Sequence, residues 1–296
     1  RPECYDAGAT MSEEQDATGS QSVDRALKLL SLVGRRGRSG MSLNEIVEAS
    51  GFNKATTRRL LLALMRARLI EQDEAGRRYY VGQEAYVLGV FAADRFGLLQ
   101  MSMESLIRIS RKTSDTSFLS VRRHTHSICL HREEGTFPIR SHVLQKGFEH
   151  PLGIGAGSLA MLAALDDEEI EAVMGHNAAE ITQDYPNLPT NYIPEGVAAA
   201  RIKGYAVNPG MIYPNSWAIG VALRYPDGGL AGAISVTAID SRMQEPRQRE
   251  LAAILREEAT YIETKLAQMI EPERKAPRAR MRRDDPKFSK PRRAQA

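Results

Sequence analysis

Cysteine and tryptophan are scarce, with two Cys and one Trp among 296 residues. Cys4 lies in a polar stretch and Cys129 in an apolar run, so no structural disulfide is expected between them. A reducing compartment, the cytoplasm, fits that usage. No run of about 18 apolar residues occurs, and no membrane span is expected. Residues 1–20 lack the apolar stretch of a secretory leader and are rich in Ser, Thr, Gly, Asp and Glu, which reads as a disordered tail. Gly153-x-Gly155-x-Gly157 is not a dinucleotide fingerprint, because Ser158 stands where the third glycine belongs. No nucleophile–base pair stands out. Five histidines fall between 124 and 150 (His124, His126, His131, His142 and His150), with no Cys or carboxylate clustering tightly with them. They read as surface or hairpin residues, and neither a metal nor a cofactor is expected. Cys129 reads as core. Asp166 to Glu169 read as a helix cap and its acidic first turn.

What is present suits a folded chain of two domains: 42% hydrophobic and 26% charged residues over a length that can bury two cores. The net charge of +3 hides an asymmetry. Residues 22–82 carry twelve Lys/Arg against six Asp/Glu, whereas residues 83–271 carry seventeen against twenty-three. A basic module followed by an acidic one suggests a polyanion partner for the first alone.

The periodicity locates that basic module. Val23, Ala26, Leu27, Leu30 and Val33 recur at helical spacing, with Ser22 as a cap and Gly34 as a stop. Ser42 and Glu45 form a capping box ahead of a short helix that Gly51 ends. Asn53 caps a third helix in which Leu60, Leu61 and Leu64 cluster on one side while Arg58, Arg59 and Arg66 fall away from it. Two strand-like runs around Asp73-Glu74-Ala75-Gly76 then read as a hairpin. Helix, short helix, turn, helix, hairpin is the order of a winged helix-turn-helix. Its candidate DNA contacts are Asn53, Lys54, Thr56, Thr57, Arg58 and Arg59 on the recognition helix, and Arg77 and Arg78 on the wing. Arg58 can give a bidentate pair to guanine, and the others suit base edges or phosphates.

The remainder reads as an α+β fold. Residues 84–112 are helical, as one helix or two, and form a linker region. Residues 113–270 mix strands near 117–121, 127–131, 219–223 and 230–238 with helices, closing on an amphipathic helix over 246–268. Residues 271–296 are dominated by Pro, Arg and Lys and read as a basic disordered tail, with or without a part in phosphate contact. The expected domains are therefore a tail (1–20), a DNA-binding domain (21–83), the linker (84–112), a second domain (113–270) and a tail (271–296).

Five segments in this order resemble the IclR family of bacterial transcription regulators: 22–30, 53–61, 152–160, Lys203-Gly204-Tyr205-Ala206, and Ala233-Ile234-Ser235-Val236-Thr237. The resemblance spans about residues 20–268. It implies a GAF-like effector domain, an antiparallel sheet with helices, that senses a small organic acid. It also implies a homodimer or dimer of dimers on a double-stranded DNA operator. Carried over by position, Gly155 and Ala156 match backbone donors to the effector carboxylate, and Ser235 and Thr237 match hydroxyls on a strand. A tight turn that simply needs glycine also accounts for the first pair. Asn208, Trp217 and Ala218 fall in the matching effector segment. Asn208 stands where an acidic residue is usual, Ala218 where cysteine is frequent, and Thr57 where an apolar residue is usual. Tyr213 and Trp217 make the segment more aromatic, which suggests a larger or more aromatic acid than a two- or three-carbon one. Two other readings stay open at this point: an enzyme with its chemistry in residues 99–270, and a winged helix that binds a partner protein.

Overall fold

The computed structural model describes residues 20–139 and 144–275. The expected tail over residues 1–20 lies almost wholly outside the described residues, as does the basic tail beyond Lys275.

The N-terminal unit holds α1 (Gln21–Arg35), α2 (Leu43–Ser50), α3 (Lys54–Arg66) and a hairpin of β1 (Ile70–Gln72) and β2 (Tyr79–Val81). Leu29 and Val33 of α1, Ile46 of α2 and Leu60, Leu61 and Leu64 of α3 share one core, closed by Ile70 and Tyr79 of the wing. Ser22 is inside α1 and Gly34 does not stop it, since the helix begins at Gln21 and ends at Arg35. The capping box of α2 forms as the spacing demands. Ser42 Oγ accepts from the Glu45 N–H at 3.3 Å, and Glu45 Oε2 accepts from the Ser42 N–H at 2.7 Å. Glu45 also takes the Arg78 guanidinium at 3.0 Å, tying the wing to α2. The Ser42 backbone N–H, then the Ser42 hydroxyl and Arg78, hold the Glu45 carboxyl down at about 2. Its contribution is present above the ordinary 4.5 and fades as pH falls toward 2. Ser42→Ala is expected to lower stability by about 1 kcal/mol, read as a drop in urea midpoint without a change in slope. An unchanged midpoint would show that the cap contributes nothing here.

Two helices follow, α4 (Gln83–Phe96) and α5 (Leu98–Thr113), which meet at Gly97. The second unit is built on a six-stranded antiparallel sheet with spatial order β5-β4-β3-β8-β7-β6. The strands are β3 (Thr116–Arg123), β4 (His126–Glu133), β5 (Glu149–Pro151), β6 (Ala206–Pro209), β7 (Ser216–Arg224) and β8 (Leu230–Ile239). The helices are α6 (Ala156–Ala163), α7 (Asp167–Asp184), α8 (Tyr192–Lys203) and α9 (Glu245–Lys275). α9 therefore runs past 270, so residues 271–275 belong to a helix rather than to the expected tail.

Strand alternation divides the sheet into two faces. Ile219, Val221 and Leu223 of β7 and Ile234, Val236 and Ala238 of β8 pack with Leu106 and Ile109 of α5 and with Leu251, Leu255 and Ile262 of α9. The intervening residues, including Ala222 and Ala233, join the core of α6 and α8 on the other face. Asp115, the residue before β3, is 4% exposed and is gripped by Arg242 and Arg247. The two units also touch. Arg35 Nη2 at the end of α1 lies 2.5 Å from Glu149 Oε2 on β5, and Arg123 Nη1 lies 3.7 Å from the same oxygen. These are charge contacts without hydrogen-bond alignment.

Candidate DNA interface and effector site

The start of α3 is fixed by its cap. Asn53 Oδ1 accepts from the Thr56 N–H at 2.8 Å, so this side chain organises the helix end and its carbonyl oxygen is engaged. Lys54, Arg58 and Arg59 are exposed, Thr56 is half-buried, and Leu60, Leu61 and Leu64 face inward. Lys54, Arg58 and Leu62, four residues apart, form one outward stripe. With Ser42, Leu43 and Asn44 of α2 and Arg77 and Tyr79 of the wing, they line a groove open to solvent. This is the concave basic surface expected of a recognition helix flanked by a wing.

Two expected contacts are corrected. Thr57 is fully buried, and its hydroxyl donates to the Asn53 carbonyl at 3.0 Å. It sits on the inward face with Leu60 and Leu64, about one and two turns away, and cannot reach DNA. Arg78 donates to the carbonyls of Ser39 and Gly40 and to Glu45. Its guanidinium thus holds the wing in place, while Arg77, exposed at the hairpin turn with φ 51°, is left facing outward.

In the second unit, a cavity of about 50 Å³, with room for a few waters, lies between the sheet and the start of α6. Gly155, Ala156, Asn208, Ala218, Ser235 and Thr237 all line it. Gly155 precedes α6 at φ 79°, a left-handed backbone that favours glycine. No side chain caps that helix, so its first N–H groups and the positive end of its dipole are left to the cavity wall. Gly220 lets α6 settle on β7, because a Cβ there would stand 2.5 Å from the Ala156 carbonyl oxygen. Asn208 is committed to the wall. Its Oδ1 accepts from the Met211 N–H at 3.2 Å and from the Tyr192 hydroxyl at 3.3 Å.

Trp217 is the exception among the expected effector residues. Ser216 and Ala218 face the cavity, so period two sends Trp217 to the opposite face, where it packs with the α5/α9 core. The aromatic rings at the cavity are Phe148, Tyr185 and Tyr213 instead. Burial pushes the Tyr185 hydroxyl up to about 12, keeping it neutral. Ser120, Ser216 and His150 also line the wall and were not singled out from sequence. Ser216 follows from the same parity as Ala218. His150 was grouped with the hairpin histidines, yet it is 4% exposed and burial pushes its imidazole down to about 4. His126 and His131 are half-buried on β4, and each ring meets a carboxylate, Glu180 and Glu133, that was not expected beside it from sequence. Cys129 is buried, and its thiol is pushed up to about 11 by desolvation, which makes it a poor nucleophile. No helix among the described residues is long and apolar enough to cross a membrane.

A winged helix-turn-helix with a basic groove, followed by an antiparallel α+β domain with a small cavity between its sheet and a helix start, defines a transcription regulator with an effector domain. Residues 22–74 match the IclR helix-turn-helix domain, and residues 90–264 match the bacterial transcriptional regulator IclR C-terminal domain. The chain belongs to the IclR family. Among its relatives is the HTH-type transcriptional regulator KipR of Bacillus subtilis, 24% identical over 83% of this chain and 97% of that protein. The crystal structure of an IclR transcriptional regulator from Silicibacter sp. TM1040 superposes with a TM-score of 0.73 at 26% identity, covering 83% of this chain and 96% of that one. An IclR homologue from Microbacterium hydrocarbonoxydans, solved in complex with 4-hydroxybenzoate, shares the fold with a TM-score of 0.69 at 20% identity, over 83% and 99% of the two chains. These relatives are regulators of transcription or share their fold; none is described as an enzyme.

Proposed function

We propose that this chain holds a double-stranded DNA operator through the groove around Arg58, and that an organic acid in the cavity beside α6 sets how tightly it does so. The observation that carries the second half is the uncapped start of α6, which meets the cavity beside the hydroxyls of Ser235 and Thr237. Free N–H groups and a positive dipole end suit a carboxylate. The rings of Phe148, Tyr185 and Tyr213 favour an aromatic acid over a two- or three-carbon one, and the same fold accepts 4-hydroxybenzoate in the Microbacterium protein. A cavity of about 50 Å³ requires the walls to part before a ring enters. Tyr213 is 47% exposed and Phe148 is 41% exposed, so moving either disrupts little packing.

The exposed apolar side chains Val23 and Leu27 on α1, and Tyr86 and Val90 on α4, support assembly as a homodimer or a dimer of dimers that would cover them. Fluorescence anisotropy on DNA from upstream of the gene, with and without benzoate, 4-hydroxybenzoate, pyruvate or glyoxylate, tests the whole reading. At least one acid is expected to shift the operator affinity by about tenfold, a coupling typical of linked sites. Indifference to every one of them would count against an acid effector.

A further inference from the structure

The reading above places all DNA contact in the first unit and gives the chain beyond α9 no part. Residues 276–296 carry eight Lys/Arg, six of them arginine, against two Asp. Charge of one sign assigns no partner by itself. The course of α9 supplies what composition cannot, because it fixes where this segment leaves the folded chain.

α9 runs antiparallel to α5. Glu104 of α5 meets Lys265 at 2.6 Å, Arg108 meets Glu258 at 2.6 Å and Lys112 meets Glu257 at 3.8 Å, so the partners fall in number as α5 advances. The start of α5 therefore lies beside the last turns of α9, and a Cβ on Gly97 would stand 3.2 Å from Met269 Sδ. Gly97 is the junction with α4, the helix that leads straight back to the wing. α9 continues from Met269 to Lys275, about 9 Å further. Adding roughly 10 Å between packed helices and about 21 Å for α4 puts the base of the wing within about 40 Å of Lys275. The 21 residues after it can span at most about 70 Å. The basic segment thus leaves the effector unit at its junction with the DNA-binding unit and can reach a duplex held there.

Two polyanions compete for it. Residues 83–271 have an excess of acids, twenty-three against seventeen Lys/Arg. Duplex DNA presents one charge per roughly 1.7 Å and releases condensed counterions when it is neutralised, which favours DNA. Arginine also matches phosphate two-pronged.

We infer that residues 276–296 form a second DNA contact, a phosphate clamp that adds affinity for any duplex and no selectivity. It rests on DNA binding by the winged helix-turn-helix, which brings phosphates within reach and raises their effective concentration.

The test is fluorescence anisotropy of the full chain on a duplex from upstream of the gene and on a scrambled one, from about 50 to 200 mM salt. It is repeated with Arg278, Arg280, Arg282 and Arg283 all changed to Gln, with the same four changed to Lys, and with a chain ending at Lys275. Thermal melting verifies the fold of each. The Gln variant is expected to bind both duplexes at least about tenfold more weakly near 0.1 M salt, with the ratio between them unchanged. Its slope of log affinity against log salt should flatten by about 2 to 4, since each phosphate contact contributes about 0.9. The Lys variant keeps the charge and should stay within about threefold of wild type. The chain ending at Lys275 should lose at least as much as the Gln variant. Unchanged affinity and slope in the Gln variant overturn the inference. Tighter DNA binding does so too, since the segment would then be occupied by the acidic unit. A loss confined to the upstream duplex would make the segment a reader of bases, against the inference. A loss of affinity for single-stranded RNA, with none for duplex DNA, would name RNA as the partner instead. Arg58→Ala keeps the two readings apart, because it should lose the ratio and keep the slope within about 1. Failure of wild type to bind either duplex removes the DNA reading along with the inference.

Discussion

Arg58→Ala is expected to abolish most of the discrimination between the operator and unrelated DNA while leaving the chain folded. The side chain is exposed in the second turn of α3, on the stripe opposite the buried Leu60, Leu61 and Leu64. Its loss leaves no cavity and no unpaired buried group, so stability should hold within about 0.5 kcal/mol. A bidentate arginine–guanine pair contributes roughly 1–3 kcal/mol of discrimination, or about five- to 150-fold in affinity ratio. Arg58→Lys separates charge from geometry, because it keeps the cation and loses the planar fork. Lysine should therefore retain affinity for any DNA at low salt and lose most of the selectivity. Anisotropy titrations on operator and scrambled duplexes at two salt concentrations read both quantities. If Arg58→Ala still prefers the operator as wild type does, the recognition surface lies elsewhere.

Arg242→Ala is expected to produce the largest loss of stability, about 3 kcal/mol. Asp115 has 2% of its side chain exposed, and Arg242 meets it two-pronged, Nε to Oδ1 at 2.9 Å and Nη2 to Oδ2 at 3.1 Å. Arg242 also donates to the Thr113 carbonyl and lies over the Phe137 ring, 4.1 Å from its centroid. Removing it strands a buried carboxylate, a change that typically costs about 3–5 kcal/mol. The lower end is expected because Arg247 remains 3.4 Å away. The double variant Asp115→Ala/Arg242→Ala should recover part of the loss, since no unpaired charge is then left inside. Urea denaturation of the three proteins decides this. A double variant weaker than wild type by the full sum of both single losses would mean that burial of the charge is not the cause.

The parts of this fold that were legible in the sequence are those written in short range. Ser42 and Glu45 are three residues apart, and their capping box forms as the spacing requires. The leucines of α3 share a side at 100° per residue and enter the core together. What was misjudged depends on partners distant in sequence or on register. Arg78 is spoken for by Glu45, 33 residues earlier, which no local pattern announces. Trp217 could have been excluded, because the cavity residues Ala218, Ser235 and Thr237 obey a parity that Trp217 breaks. Thr57 was misread because its outward neighbours, Thr56 and Arg58, suggested a polar face at a position where a hydroxyl can return to the carbonyl four residues back. His150 was hidden by the brevity of β5, whose three residues are too few to show alternation.

That brevity has a mechanical consequence. Glu149 and His150 are consecutive on β5, so their side chains leave on opposite sides: one toward Arg35 at the end of α1, the other into the cavity. β5 is a three-residue edge strand, paired within the sheet with β4 alone. On the proposed function, a ligand that displaced His150 would carry Glu149 with it and disturb the charge contact with the DNA-binding unit. Thermodynamic linkage then makes the traffic two-way. Whatever factor an occupied cavity imposes on operator affinity, a bound operator imposes on the cavity, so on the proposed function the acid concentration that half-saturates the protein would differ between free and DNA-bound molecules by that same factor.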